Sequence, residues 1–297
     1  MASQRDIRRR IVSVQNTRKI TKAMEMVAAA RLRRSQQRIE ATRPYALNML
    51  EFIGQLVHYL QVDLSLHPLL KPREEIKKVA VIALTADRGL CGAFNSNIIR
   101  RALDLVDSYT AKGVDYDLVV MGRKGVGTVR FLKKYRLDKA YMDVTDRAAF
   151  LEAQALTNGV VRRYSAGIID RVHLVFNSFK SPMEQFVTEQ VILPIQEEIA
   201  DLYTPTGAQE HMDFLYEPSA EAILADLLPS YVEITIYRAI LEGMASEHGA
   251  RMTAMRSASE AADEMIDDLT QAMNRARQWS ITQEILEVVA GADALSG

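Results

Sequence analysis

Two stretches free of helix breakers, one at each end of the chain, constrain this sequence more than any other feature. From Met1 to Arg43 there is neither glycine nor proline, and Ile7, Ile11 and Val14, then Ile20, Met24 and Val27, recur at three- and four-residue steps. That spacing puts them on one face of a helix, about 65 Å long at 1.5 Å per residue. Pro44 is expected to end the first stretch, after which Leu50, Ile53, Leu56 and Val57 resume the pattern. Beyond Pro229 no proline follows, and Met252, Met255, Ala262, Ile266, Leu269, Met273 and Ala276 keep a seam of threes, fours and one seven. A repeat this long predicts a coiled coil. The first helix leads into the middle of the chain and the last leads out of it, so if the two pack they run antiparallel. Counting Ser230 to Ala290 as helix gives about 90 Å. The C-terminal end, with Leu286, Val288 and Val289, is then expected to outreach its partner and to need something else to bury it.

The two ends differ in charge. Residues 1 to 43 carry twelve basic and three acidic side chains, residues 231 to 297 five arginines and eleven carboxylates, and the whole chain of 297 residues has a net charge of -1. The arms can therefore attract each other, although exposed pairs contribute only tenths of a kcal/mol each. A hydrophobic content of 48% excludes disorder, and a single cysteine, Cys91, excludes an intramolecular disulfide framework or a Cys-rich metal site. A reducing compartment is the simplest expectation. No run approaches the roughly 18 apolar residues of a membrane-spanning helix, and the start lacks the apolar core of a signal peptide.

Between the arms the texture changes to short apolar runs separated by amphipathic segments. Lys78 to Thr85, Asp117 to Met121 and Val172 to Phe176 read as buried strands, with a shorter one near Ala140 to Val144 and another over Gln185 to Ile192. Helices are expected over Asn95 to Tyr109, Gly125 to Lys134 and Arg147 to Tyr164. This alternation predicts a mainly parallel sheet covered by helices, a Rossmann-like α/β domain. Thr204 to Pro218, with two prolines and Gly207, is expected to lead to the C-terminal arm. The domains are then 1–60, an N-terminal coiled-coil helix, 75–205, the α/β domain, and 206–297, the connecting segment and C-terminal coiled-coil helix.

Few residues suggest chemistry. Gly89-Leu-Cys91-Gly92 follows the first strand and Gly122-Arg-Lys-Gly125-Val-Gly127 the second, where open α/β sheets place nucleophiles and phosphate loops. Neither run matches an elbow, a dinucleotide fingerprint or a Walker motif, and tight turns account for the glycines equally well. The histidines 58, 67, 173, 211 and 248 include no pair spaced to share a metal, and His173 reads as a hydrogen-bonded core residue. Asp263, Glu264, Asp267 and Asp268 read as a solvated helix face or as general acid/base groups. The methionines of the seam, among them Met24, Met252, Met255 and Met273, serve as core filler or as adaptable contacts. A nucleic-acid surface on Arg31, Arg33, Arg34 and Arg38 is disfavoured, because no aromatic residue precedes Tyr45 and an acidic arm lies beside them. An Arg-rich mitochondrial presequence is disfavoured by the uninterrupted helix.

Three segments resemble the gamma subunit family of the F-type ATP synthases. They are Ile7 to Arg34, with Val14-Gln-Asn-Thr-Arg-Lys-Ile-Thr-Lys-Ala-Met-Glu-Met26, then Leu84 to Asn95, and then Asn274-Arg-Ala-Arg-Gln278 with Ile281-Thr-Gln-Glu284, Glu287 and Gly291-Ala292. The resemblance implies a rotating shaft without a catalytic site or cofactor. It implies partners too: the alpha and beta subunits of a catalytic ring, the epsilon subunit and a membrane c ring, in one copy per complex and without nucleic acid. Ion flow through the c ring would turn the shaft, which would change the beta subunits in turn. The implied location is peripheral, on the cytoplasmic face of the bacterial inner membrane. Residue by residue, Met24, Arg251, Gln278, Thr282 and Glu284 match ring contacts. Asp213, Tyr216 and Glu217 match contacts to the c ring and epsilon. Trp279 departs from the pattern by being bulkier than the residue usual there, and the two-cysteine insertion of plastid relatives is absent. Two other readings stand beside this one: an α/β enzyme with a coiled-coil arm acting on a nucleotide or nucleic acid, and a passive coiled-coil scaffold.

Overall fold

The computed structural model describes residues 4–59, 67–144, 148–195, 217 and 219–296. The elements in chain order are α1 (Gln4–Tyr59), β1 (Lys78–Leu84), α2 (Phe94–Thr110), β2 (Asp115–Met121), α3 (Arg123–Leu132), β3 (Leu137–Tyr141), α4 (Ala149–Ser165), β4 (Arg171–Ser181), β5 (Glu184–Leu193) and α5 (Ala220–Ser296). They form two compact units, residues 30–250 and the pair of segments 1–29 and 251–297.

In the unit 30–250 the strands form one sheet in the order β3-β2-β1-β4-β5. The first four are parallel and β5 returns antiparallel beside β4. The near-continuous apolar run of β1 follows from burial on both faces, with alternate residues pointing to opposite sides. Ala80, Ile82 and Leu84 enter one core with Val119, Met121, Val172, Leu174 and Phe176, covered by α4 and by parts of α1 and α5 through Met49, Ile53, Leu224 and Ile236. Val79, Val81 and Ala83 enter the other with Leu118, Val120 and Val175, covered by α2 and α3. A mainly parallel α/β sheet with long terminal helices is thus the fold class expected above.

The strand and helix positions match their expected places to within a few residues, with one larger difference. β4 runs on to Ser181 and pairs through Ser181↔Glu184 with β5 in a hairpin. Its second half, Asn177-Ser-Phe-Lys-Ser, is polar because it lies largely outside the core. Neither Pro44, expected to end the first stretch, nor Pro229, just before the residue from which the last helix is counted, interrupts its helix. Pro44 lies inside α1 and Pro229 inside α5, which starts at Ala220 and not at Ser230. A proline in a helix interior costs about 3 kcal/mol. Burial on either side offsets it: Met49, Ile53 and Leu56 follow Pro44, while Leu224, Leu228, Tyr231 and Val232 surround Pro229. The segment Thr204 to Pro218, read as the connector, lies outside the described residues except for Glu217.

The segment leading into β1 is tied to α4. Tyr164 is fully buried and its hydroxyl donates to Lys71 O at 3.0 Å, while Arg73 Nη2 donates to Tyr164 O at 3.0 Å. Burial pushes the Tyr164 phenol up to about 12. A phenol whose folded pKa exceeds its unfolded value of about 10 contributes stability fully below that value and loses it as pH rises toward 12. Tyr164→Phe should lower stability by about 1 kcal/mol at pH 7 through the lost hydrogen bond. The gap between wild type and variant should narrow between pH 10 and 12 in urea unfolding, and a gap constant with pH would contradict the assignment.

Candidate functional site

The segments 1–29 and 251–297 form a helix pair whose facing residues repeat every seven positions. On α1 these are Ile7, Val14, Thr21 and Ala28 with Ile11 and Glu25, and on α5 Met255, Ala262, Leu269 and Ala276 with Ser259, Ile266 and Met273, all buried or half-buried. The polar links run in opposite directions. Arg18 Nη1 donates to Asp263 Oδ1 at 2.6 Å, Thr21 Oγ1 lies 2.7 Å from Ser259 Oγ, and Arg256 Nε donates to Glu25 Oε1 at 3.3 Å. Seven steps forward on α1 match seven steps back on α5, so the pair is antiparallel.

The middle of the seam is polar. Thr21 and Glu25 are only 9% and 7% exposed. One hydroxyl of the Thr21 and Ser259 pair donates to the other, and the remaining proton reaches a carbonyl of its own helix, Arg18 O or Met255 O. Lys22, donating at 2.9 Å, and Arg256 hold the Glu25 carboxyl below the usual carboxylate range against the opposing cost of burial. These groups correct the expected apolar face. Ile20 and Val27 are 61% and 54% exposed, and Met26 also points outward. Seven-residue steps from Ile7 and Val14 lead to Thr21 and Ala28, and the polar side chains fill the seam because each finds a partner across it.

The same register places the start of α1, Gln4, opposite about Arg277 of α5. From Arg277 to Ala292 every residue of α5 is exposed. Trp279, Ile281, Ile285, Leu286, Val288 and Val289 are exposed large apolar residues there. At 100° per residue they fall on one broad side with Gln278 and Thr282, while Ser280, Gln283, Glu284 and Glu287 share the other.

In the unit 30–250 the two glycine runs meet at the carboxyl ends of β1 and β2. Gly122 has φ +98, and a Cβ there would lie 2.2 Å from Thr85 O; one on Gly125 would lie 2.4 Å from Thr85 Oγ1. The first amides of α3, the groups a phosphate would use, already have acceptors. Arg123 N donates to Asp87 Oδ1 at 2.8 Å, Lys124 N to Ala86 O at 3.1 Å and Gly125 N to Thr85 Oγ1 at 3.1 Å. In the other run Ala86 N donates to Asn95 Oδ1 at 2.8 Å, and Asn95 Nδ2 donates to Cys91 Sγ at 3.3 Å, with Cys91 buried. Close packing against Thr85 thus accounts for Gly122 and Gly125, and a left-handed backbone, with φ +57, for Gly92. His173 is buried between Tyr109, its Nε2 2.9 Å from the hydroxyl, and Glu189, its Nδ1 3.0 Å from Oε1.

Known proteins place these features. Residues 3–295 match the family model described as ATP synthase. The chain is 44% identical to the ATP synthase gamma chain of Moorella thermoacetica over 295 residues, covering 99% of this chain and 100% of that one. It is 43% identical to that of Geobacter metallireducens over 299 residues, covering both in full. The chain belongs to the ATP synthase gamma chain family. Among solved structures it is similar to a chain of the central stalk and c-ring of the Tetrahymena thermophila mitochondrial ATP synthase. There the TM-score is 0.62 and the identity 28%, over 81% of this chain and 99% of that one. A chain of the Euglena gracilis mitochondrial ATP synthase shares the fold, at TM-score 0.65 and 17% identity, over 98% and 94%.

As a gamma chain it is a peripheral subunit of a complex that is an enzyme, and among the described residues no helix is long and apolar enough to cross a membrane. Of the residues singled out from the family pattern, Met24 is half-buried beside the Thr21 layer and Arg251 is buried two turns before Ser259. Gln278 and Thr282 stack on the exposed end of α5, where Thr282 Oγ1 donates to Gln278 O at 2.9 Å, and Glu284 lies on the side away from Thr282. Glu217 is exposed, while Asp213 and Tyr216 lie outside the described residues. Sequence reasoning missed the outward Ile20, Met26 and Val27. Their signal was a second apolar stripe, Ile20 and Val27 being seven residues apart.

The packing role of the glycines has a direct test. Gly125→Ala should destabilise the gamma chain by about 1 to 3 kcal/mol, the usual cost of overpacking. Gly125→Ala combined with Thr85→Ala should cost less than the two single changes added together. Strictly additive losses in denaturant unfolding would show that the two groups do not collide.

Proposed function

We propose that this gamma chain is the rotating central stalk that couples ion flow through a membrane c ring to ATP synthesis and hydrolysis in an alpha/beta ring. It has no catalytic site of its own and is peripheral on the cytoplasmic face of a bacterial inner membrane. The relatives support the stalk role, since the Tetrahymena structure is of a central stalk with its c-ring and another Euglena structure is of a rotor. The observation that carries the mechanical reading is the end of α5, a bare helix with one broad apolar side. In water that side is unfavourable, and a surrounding ring of subunits would bury it. On this reading Met24, Arg251, Gln278, Thr282 and Glu284 meet the alpha and beta subunits, and Asp213, Tyr216 and Glu217 meet epsilon and the c ring. Residues 1–60 and 206–297 form the shaft and its connector, and 75–205 the α/β domain. A shaft of two unlike helices touches each catalytic subunit differently at any one angle. Those differential contacts are what can shift three subunits into three states.

The test is ATP hydrolysis by matching alpha and beta subunits, with and without the gamma chain, read together with native mass. A steep rise with one copy per ring is expected. Ile281→Ser, Ile285→Ser and Val288→Ser together should weaken assembly by at least about a hundredfold, from about 1.5 to 3 kcal/mol of burial for each apolar side chain. Assembly and activity equal to wild type at limiting gamma chain would remove the contact role of this end.

A further inference from the structure

We propose that the α/β unit carries a binding site for small phosphate-bearing anions, in a cleft of about 580 Å³ outside the carboxyl ends of β1 and β2. The first support is position. Strand order turns at β1, with β2 and β3 on one side and β4 and β5 on the other. Open parallel sheets hold their ligands at the carboxyl ends of strands beside such a turn. The volume is that of an ordinary small-molecule site.

Charge is the second and decisive support. Arg31 and Arg34 on α1 and Arg88 after β1 line the cleft. Elsewhere in the unit several arginines are engaged: Arg101 with Glu189, Arg123 with Asp143, Arg136 with Asp115, and Arg163 with Asp117. Arg31, Arg34 and Arg88 have no ion pair or side-chain hydrogen bond among the described residues. The carboxylates of the cleft are occupied. Asp87 accepts from Arg123 N, Asp143 is held by the Arg123 guanidinium, and Glu247 has a partner of its own. The cleft therefore presents three uncommitted guanidinium groups, the donors that match phosphate oxygens two at a time. Phe94, Met121, Ile240 and Met244 add apolar wall, which suits a ligand with a ring attached to its phosphates. The α3 amides, already bonded, take no part, which separates this site from a phosphate loop.

The experiment is calorimetric titration of the full gamma chain with pyrophosphate and, separately, with ADP, at 0.1 M salt. Saturable binding of at least one probe is expected. Arg88→Gln, and Arg31→Gln with Arg34→Gln, should each weaken it by about tenfold or more. Arg136→Gln, which removes a guanidinium already paired elsewhere, should leave it unchanged. ADP binding more tightly than pyrophosphate assigns the apolar wall to the ring of a nucleotide, and equal affinities assign the site to the phosphates alone; both support it. In the unaltered chain, pyrophosphate should also shield Arg88 from phenylglyoxal, a reading independent of any variant. No binding of either probe at millimolar concentration, or an equal loss in Arg136→Gln, would overturn the proposal.

Discussion

The polar layer inside the apolar seam of the terminal helix pair is the constraint on which the rest of that unit depends. Thr21, Ser259 and Glu25 are buried groups that would each lose a partner on the other helix, Arg256 in the case of Glu25, if either helix slid by one heptad. Unsatisfied buried polar groups cost about 1 to 3 kcal/mol each. An apolar seam with Ile, Val, Ala and Met on both sides distinguishes poorly between one register and the next, whereas a few paired polar residues distinguish well. Register in turn decides how much of α5 extends past the start of α1. The length of bare apolar helix available to a surrounding ring is therefore set some twenty residues away, at Thr21 and Ser259.

The α/β unit rests on a different constraint, the near-complete burial of its central strands. A strand apolar on both faces needs a cover on each, and here α2 and α3 supply one while α4 and parts of α1 and α5 supply the other. The turns at the carboxyl ends are then drawn so close that Gly122 and Gly125 leave no room for a Cβ against Thr85. Residues that look like a phosphate loop in one dimension serve in three dimensions to let two turns share hydrogen bonds. The anion site proposed above lies beside those turns and draws on side chains from three separate stretches of chain.

How legible these features are in the sequence follows from where their energy comes from. β1 and β2 announce themselves because Lys78 to Leu84 and Leu118 to Met121 must be apolar on both faces. The far half of β4 does not, since Ser178 to Ser181 is held by pairing with β5 more than by burial. Pro44 and Pro229 look like punctuation to any local rule, and only burial on either side carries a helix through them. Ile20 and Val27 mislead for the converse reason. Hydrophobicity alone places them in the seam, but Thr21 and Glu25 belong there once their partners 230 or more residues away are known. The bare end of α5 is legible because its helix simply outlasts the other, whereas no window of sequence brings Arg31, Arg34 and Arg88 together.

The most direct test of the register is a cross-link through the polar layer. Thr21→Cys with Ser259→Cys, in a Cys91→Ser background, replaces two oxygens 2.7 Å apart with two sulfurs within bonding reach. A companion chain carries Thr21→Cys with Ile266→Cys, one heptad away. Mild oxidation should close the first pair within single chains nearly completely and leave the second open. Equal yields from the two, or closure of the second alone, would contradict a register fixed by Thr21 and Ser259, and with it the length assigned to the bare end of α5.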